Sequence, residues 1–268
     1  MTPAQSPLQR PPLAVRPPAN QDDSLRLSQR ARLLELRYGG LDGAALLDAA
    51  VNEIFPGRIA VVSSFGTESA VLLDLVAQVN PATPVIFLET GKHFPETLAY
   101  RDELIAKLGL SDVRSVGPAG DDLDWADRDG TLWRRSPDLC CRLRKVLPLE
   151  RALSGFSAWI NGRKRFQGGQ RRHIGLFEAA ESRIKVNPLA TWDTAALAQA
   201  FVARDLPRHP LGTRGYPSIG CAPCTSHVGE SGGEAAGSRA GRWAGSDKTE
   251  CGIHQAPARA TGNARGLR

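Results

Sequence analysis

Two short β-branched runs, each ending in a Ser/Thr/Gly loop and each followed by a helical period, limit most tightly what this chain can fold into. RIAVVSSFG (58–66) leads into TESAVLLDLVAQVN (67–80), and TPVIFLETG (83–91) into FPETLAYRDELIAKLGL (94–110). Continuous apolar runs of this length predict strands buried on both faces, and strands alternating with helices predict βαβ units around a mostly parallel sheet. DVRSVG (112–117), FSAWINGRKRF (156–166) and SRIKVNPLATW (182–192) read as further strands. LRLSQRARLLELRYGG (25–40, capped by Asp23 or Ser24), GAALLDAAVNEIF (43–55), LCCRLRKVLPLERALSG (139–155, despite Pro148) and DTAALAQAFVARDLP (193–207) read as helices. The expected fold is therefore α/β, a doubly wound, mostly parallel sheet, with a long irregular C-terminal segment.

The organisation follows from where these periods stop. Residues 1–23 are proline-rich and expected to be a disordered tail. Residues 24–206 form the α/β domain. From 207 to 254 the periodicity fades into a Gly/Pro/Ser-rich stretch holding three of the five cysteines, a length that marks a functional segment. Residues 255–268 read as a second disordered tail. No apolar run reaches the roughly 18 residues of a membrane span, and the N-terminal stretch lacks a signal-peptide core, so a cytoplasmic protein is expected. The net charge is +6; of 34 basic residues only six are Lys, and arginine's fork favours phosphate and sulfate oxygens.

The cysteines divide as four plus one. Cys140-Cys141 and Cys221-Ala-Pro-Cys224 lie 80 residues apart, and Cys251 stands alone. Without an export signal, disulfides are not expected. Four thiolates suit Zn or an iron–sulfur cluster, and residue chemistry alone leaves both open. Lys248 and His254 supply cations close to Cys251 in sequence, and such cations favour a thiolate. In the loop after the first strand, Ser63, Ser64, Phe65 and Gly66 precede a helix, where backbone N–H groups attract an anion. It has neither the Walker pattern nor G-x-G-x-x-G. Leu88 ends the second strand, so the two loops together form a nucleotide crevice at the carboxyl ends of adjacent strands.

The pairing of SSFGTES with FLETGKHFPET resembles the PP-loop (adenine nucleotide alpha hydrolase-like) superfamily, and within it the sulfonucleotide reductases. The S-G-G-x-D-S loop of the ATP-cleaving members is absent, which suits an enzyme that binds an adenylate without hydrolysing ATP. The resemblance runs from Arg58 to His254 through CCRLRK-x-x-PL, GRKRFQ, CAPC, GRW and KTECGIH. It is to the iron–sulfur branch of the adenylylsulfate (APS) and phosphoadenylylsulfate (PAPS) reductases. It implies a [4Fe–4S] cluster on Cys140, Cys141, Cys221 and Cys224. It also implies a nucleophilic Cys251 with His254 beside it, adenosine 5′-phosphosulfate as substrate, and an S-sulfonate on Cys251 discharged as sulfite by thioredoxin or glutaredoxin. Ser63, Ser64, Phe65, Gly66, Leu88, Lys145, Arg171, Arg239 and Arg242 are then the substrate-binding residues. Gly168-Gly169 stands where the family has Ser, so Arg171 and Arg172 compete for one role. Several members are oligomers, which leaves a homo-oligomer open. A PAPS reductase, a PP-loop enzyme thiolating tRNA, and a Zn module on nucleic acid are the competing readings. The tRNA enzyme needs the missing S-G-G-x-D-S loop, and a nucleic-acid module has no use for a nucleotide crevice and a fifth cysteine, so neither nucleic acid nor membrane is expected as a partner.

Overall fold

A computed structural model describes residues 20–228, 239–245 and 248–254. The chain opens with α1 (Gln21–Tyr38), which starts ahead of the expected cap, so Gln21–Asp23 form its first turn rather than the end of a tail. Most of the expected N-terminal tail and all of residues 255–268 lie outside the described residues. α2 (Gly43–Asp48) runs on into a π-helical stretch, Ala49–Ile54. Then β1 (Ile59–Ser63), α3 (Ser69–Val79), β2 (Val85–Leu88), α4 (Pro95–Leu108) and β3 (Val113–Val116) alternate as expected. Two short helices, α5 (Gly120–Ala126) and α6 (Leu132–Arg135), precede α7 (Pro137–Cys141), a π-helical turn at Arg142–Val146, and α8 (Leu147–Ala152). Pro148 lies just past the π-helical turn, a local widening of this continuous helix at the point where its ring and missing N–H interrupt the regular ladder. β4 (Ala158–Ile160), β5 (Phe177–Ala180), β6 (Arg183–Val186) and α9 (Thr194–Ala203) complete the domain. Among the described residues no helix is long and apolar enough to cross a membrane.

The strands form one six-stranded sheet in the order β3-β2-β1-β4-β6-β5, parallel except for the β5–β6 hairpin. β1, β2, β4 and β6 are buried throughout, whereas edge strand β3 is half exposed. The side-chain period of two divides the core into two layers. Ile59, Val61, Val85, Phe87, Ala158 and Ile160 face one apolar layer. Ala60, Val62, Ile86, Leu88 and Trp159 face the other, under Leu149 of α8 and Leu153 just past its end. β5 is the strand that the periodicity missed, as it missed the short helices α5 and α6. Its hairpin turns through Glu181-Ser182 with Glu181 at φ +55, without the Gly or Asn that marks such turns in sequence.

β1 is flanked by β2 on one side and β4 on the other, so the chain leaves β1 in one direction and returns in the other. That reversal opens a crevice at the carboxyl ends of β1 and β4, where ligands bind in doubly wound sheets.

Candidate active site

Three strand ends build the floor of this crevice. After β1, the Ser63 hydroxyl accepts the Phe65 N–H at 3.2 Å, and the Ser69 hydroxyl accepts the Gly66 N–H at 2.9 Å. Phe65 takes φ +48, a left-handed conformation costing a non-glycine residue on the order of 1 kcal/mol. Its fully buried ring meets Phe87 edge-on at 5.5 Å. The Phe65 side chain therefore belongs to the core and Phe65 is not among the lining residues, whereas Ser63, Ser64 and Gly66 line the crevice. After β2, Leu88 lines the pocket, and the His93 ring lies 2.9 Å from the Leu88 carbonyl and against Phe87. After β4, the Lys164 ammonium and the Gln167 amide both donate to Glu68, at 2.6 and 3.0 Å, tying the β4 loop to the start of α3.

The C-terminal segment forms the roof. Thr225 pairs with Arg242, whose guanidinium donates to the Ile219 carbonyl at 3.2 Å and lies 4.4 Å from the Trp243 ring. A Cβ on Gly220 would stand 2.3 Å from this guanidinium, so any side chain there would push Arg242 from its present position. Ile253 packs on the second apolar layer, and the His254 ring stacks on Trp159, with centroids 5.6 Å apart and planes 15° apart. The cavity left beneath holds about 200 Å³ and is lined by Ser63, Leu88, Lys145, Arg242, Cys251 and His254, among others. Trp159 is buried, as its place in an apolar strand implies, but it is also the surface on which His254 rests.

Electrostatics single out Cys251. A hydrogen bond from Cys141 is the main cause holding its thiol well below the ordinary value; burial opposes it, and Lys145, the Ile253 N–H and Arg242 assist. Lys145 comes from the π-helical turn. Burial would lower its ammonium, but the charge of Cys221, Cys251 and Cys141 raises it, so it stays protonated. Arg242 is lowered by burial, against the favourable field of Cys251, Cys221 and Cys224. The sequence places His254 and Lys248 as cations beside the thiol, and both need correction. Burial, then Arg163, Lys185, Arg171 and Arg239, push His254 well below the usual imidazole range, so the ring is neutral. Lys248 is engaged by Asp138. The cations that face the thiol are Lys145 and Arg242.

All five cysteines are free thiols. Cys140 and Cys141 sit at the end of α7, Cys221 and Cys224 flank a single 3₁₀ turn, and the Thr90 hydroxyl lies 3.4 Å from the Cys221 sulfur. Gly252 rests against Cys141 and Val146, so the tail lies directly on this wall. Burial, eased by Arg144 and reinforced by Cys221, Asp127 and Cys224, pushes Cys140 up to about 11. Among the described residues no three His, Cys, Asp or Glu side chains close to the spacing of a single-ion site.

Two of the expected substrate arginines meet a residue that sequence analysis passed over. Arg171 lines the pocket and Arg172 does not. The Arg171 guanidinium donates to Glu250 at 2.7 and 2.8 Å and also to Gln167. Arg239 donates to the same carboxylate at 2.9 and 2.8 Å. Glu250 is only 4% exposed. Burial would raise its carboxyl, but the Arg171 hydrogen bonds and the charges of Arg171 and Arg239 bring it down to about 2. In sequence, the only signal was its place beside Cys251.

A family profile described as the phosphoadenosine phosphosulfate reductase domain matches residues 58–227. An adenosine 5′-phosphosulfate reductase of Chelativorans sp. is 49% identical over 224 residues, covering 82% of this chain and 89% of that protein. A phosphoadenosine 5′-phosphosulfate reductase of Gloeobacter violaceus is 41% identical over 245 residues, covering 88% and 97%. The crystal structure of a phosphoadenylyl-sulfate reductase from Candida auris, in a phosphate complex, superposes with a TM-score of 0.63 at 28% identity, covering 75% of this chain and 97% of that one. The profile spans more than half of the chain and the Chelativorans protein matches most of it, so this chain belongs to the phosphoadenosine phosphosulfate reductase family.

Proposed function

We propose that the chain is a thioredoxin-dependent APS reductase that forms sulfite and AMP. The observation that carries this reading is that Cys251 shares one crevice with Lys145 and Arg242, lined also by Ser63, Ser64, Gly66 and Leu88. In this reading the Cys251 thiolate attacks the sulfur of APS and the S–O bond to phosphate breaks. AMP departs with that electron pair, leaving Cys–S–SO₃⁻. One thiol of reduced thioredoxin or glutaredoxin then attacks the Cys251 sulfur and sulfite leaves. The second thiol closes the reductant's disulfide and returns Cys251 to its reduced form. The backbone around Ser63–Gly66 and Leu88 holds the adenosine end. Lys145 and Arg242 hold the phosphosulfate, with Arg171 and Arg239 on the same wall. The neutral His254, whose Nδ1 is buried without a partner, contributes a hydrogen bond to the same anion. The free thiols and the dithiol reductant suit a reducing compartment, the cytoplasm.

Cys140, Cys141, Cys221 and Cys224 fit an iron–sulfur cluster by their chemistry: an all-thiol donor set selects soft or iron–sulfur metals. Buried thiolates are costly alone, and Lys145, Arg242 and Lys248 lie near enough to act on this group. A [4Fe–4S] cluster bound there would hold the α7 end and the 221–224 turn together and add negative charge opposite Lys145.

Lys145→Ala and Arg242→Ala should each weaken substrate binding about 10- to 100-fold, since each removes a charge-assisted contact of roughly 1.5–3 kcal/mol. Titration with AMP and APS, together with steady-state KM, checks this; unchanged values in both variants remove the pair from the site. Substrate choice tests the reading itself. Sulfite formation with reduced thioredoxin should give a higher kcat/KM for APS than for PAPS. Equal or higher values for PAPS would favour the second reading, PAPS reductase, which the Gloeobacter relative's name supports.

A further inference from the structure

The segment that carries Cys251 is pinned on both sides of the thiol. On one side, the Glu250 carboxylate is gripped by two guanidiniums that reach it from different parts of the chain. Arg171 comes from the loop after β4 and is itself held by Gln167, whereas Arg239 lies 11 residues upstream and stacks 5.3 Å from the Trp243 ring. The Cys251 N–H also donates to Glu250, at 2.9 Å. On the other side, Ile253 packs on the second apolar layer and His254 stacks on Trp159.

A buried carboxylate between two arginines has two readings. It could stand in for the substrate's anion until the substrate displaces it, or it could hold the tail down while the substrate binds beside it. Two observations favour the second. The cavity of about 200 Å³ remains with the tail docked, and Lys145, Arg242 and the Cys251 thiol all face it. Neighbouring Cα atoms are about 3.8 Å apart, so an anion that expelled Glu250 from the arginines would lift Cys251 out with it. The nucleophile would then leave the sulfur it has to reach.

We propose that Glu250 is a positioning residue, docking the Cys251 segment onto Arg171 and Arg239 so that the thiolate is presented to a substrate bound alongside. Arg171 and Arg239 then act on the tail as much as on the substrate. Only the kinetic part of this proposal rests on the sulfonucleotide-reductase reading.

The test uses the full chain as purified, with Glu250→Gln, Glu250→Asp and Arg239→Gln. Without any nucleotide, Cys251 is alkylated with iodoacetamide and the labelled peptide is followed by mass spectrometry. Glu250→Gln should raise the Cys251 labelling rate about tenfold or more while AMP affinity stays within about twofold, because the hydrogen bonds it weakens hold the tail and not the nucleotide. With APS and reduced thioredoxin, kcat should fall on the order of 10²-fold with little change in KM, and Glu250→Asp, which keeps the charge, should recover part of it. A residue that merely supported the fold would lower affinity and rate together. Arg239→Gln opens the same latch from the other partner, and its Cys251 labelling rate alone is read if Glu250→Gln does not fold. Tighter AMP or APS binding in Glu250→Gln would establish the stand-in role and overturn the proposal, as would wild-type labelling and wild-type kcat. If the wild-type chain makes no sulfite from APS, the functional reading fails, and the labelling experiment still decides the latch.

Discussion

Cys251→Ser should form no measurable sulfite, with turnover reduced on the order of 10⁴-fold or more, while the protein keeps its fold, its colour and its affinity for AMP. The loss is large because the reaction needs an anionic sulfur. The Cys251 thiol faces Lys145 and Arg242, whose positive charge favours the thiolate, whereas a serine hydroxyl stays protonated in the same field. The fold should survive because Cys251 lies outside both apolar layers of the sheet, and its neighbours Glu250 and His254 keep their own contacts. Wild type mixed with APS and no reductant should release one equivalent of AMP and gain one SO₃ group on the peptide containing Cys251. Reduced thioredoxin should then discharge it as sulfite. A sulfonate on any other cysteine, or bleaching in Cys251→Ser, would break the division into one nucleophile and four ligands.

Serine at Cys140, Cys141, Cys221 or Cys224 should have the opposite signature. Each variant should lose most of the visible absorbance and of the iron and sulfide of anaerobically purified protein, because a hydroxyl is a poor substitute for a thiolate on iron. Activity should fall with the iron content. The sheet should persist, since its larger apolar layer is built from β1, β2, β4 and β6 with α1–α4 and α9, away from the cysteine wall. The damage should stay near α6 and α7, where Cys140 packs with Leu132 and Leu143. Far-ultraviolet circular dichroism alongside iron analysis separates the two effects. A colourless wild-type protein loaded with zinc, or four serine variants that all keep full iron, would remove the cluster from the site.

The four-plus-one grouping of the cysteines was readable from spacing because that information is local, whereas their roles came from the resemblance. An adjacent pair, a C-x-x-C and a solitary cysteine in a Gly-rich segment are each visible within a few residues. The alternation of buried strands with helices was visible for the same reason, since a period of two or 3.6 is carried by near neighbours. So were the Ser/Gly loop after β1 and the end of β2 at Leu88, which the fold brings to one crevice.

The parts that escaped depend on partners far apart in the chain. β5 pairs through its backbone at an edge, and its turn uses Glu181 rather than a glycine, so no side-chain pattern announced it. Phe65 stands in a loop that reads as ligand-binding, yet its ring turns inward against Phe87 because an apolar ring gains more in the core than over a polar crevice. His254 looked like a cation beside a thiol. Burial among Arg163, Lys185, Arg171 and Arg239 makes it neutral, a result of tertiary charge density that no local motif contains. Glu250 looked like the residue before the nucleophile, but 79 residues separate it from Arg171. By itself the sequence determined the order of the longer strands and helices, the two loops and the chemical types at the site. Only the tertiary structure decided that β4 returns beside β1, that Trp159 underlies His254, and that one buried carboxylate joins two arginines to the nucleophile, because burial and charge pairing act between residues brought together by folding.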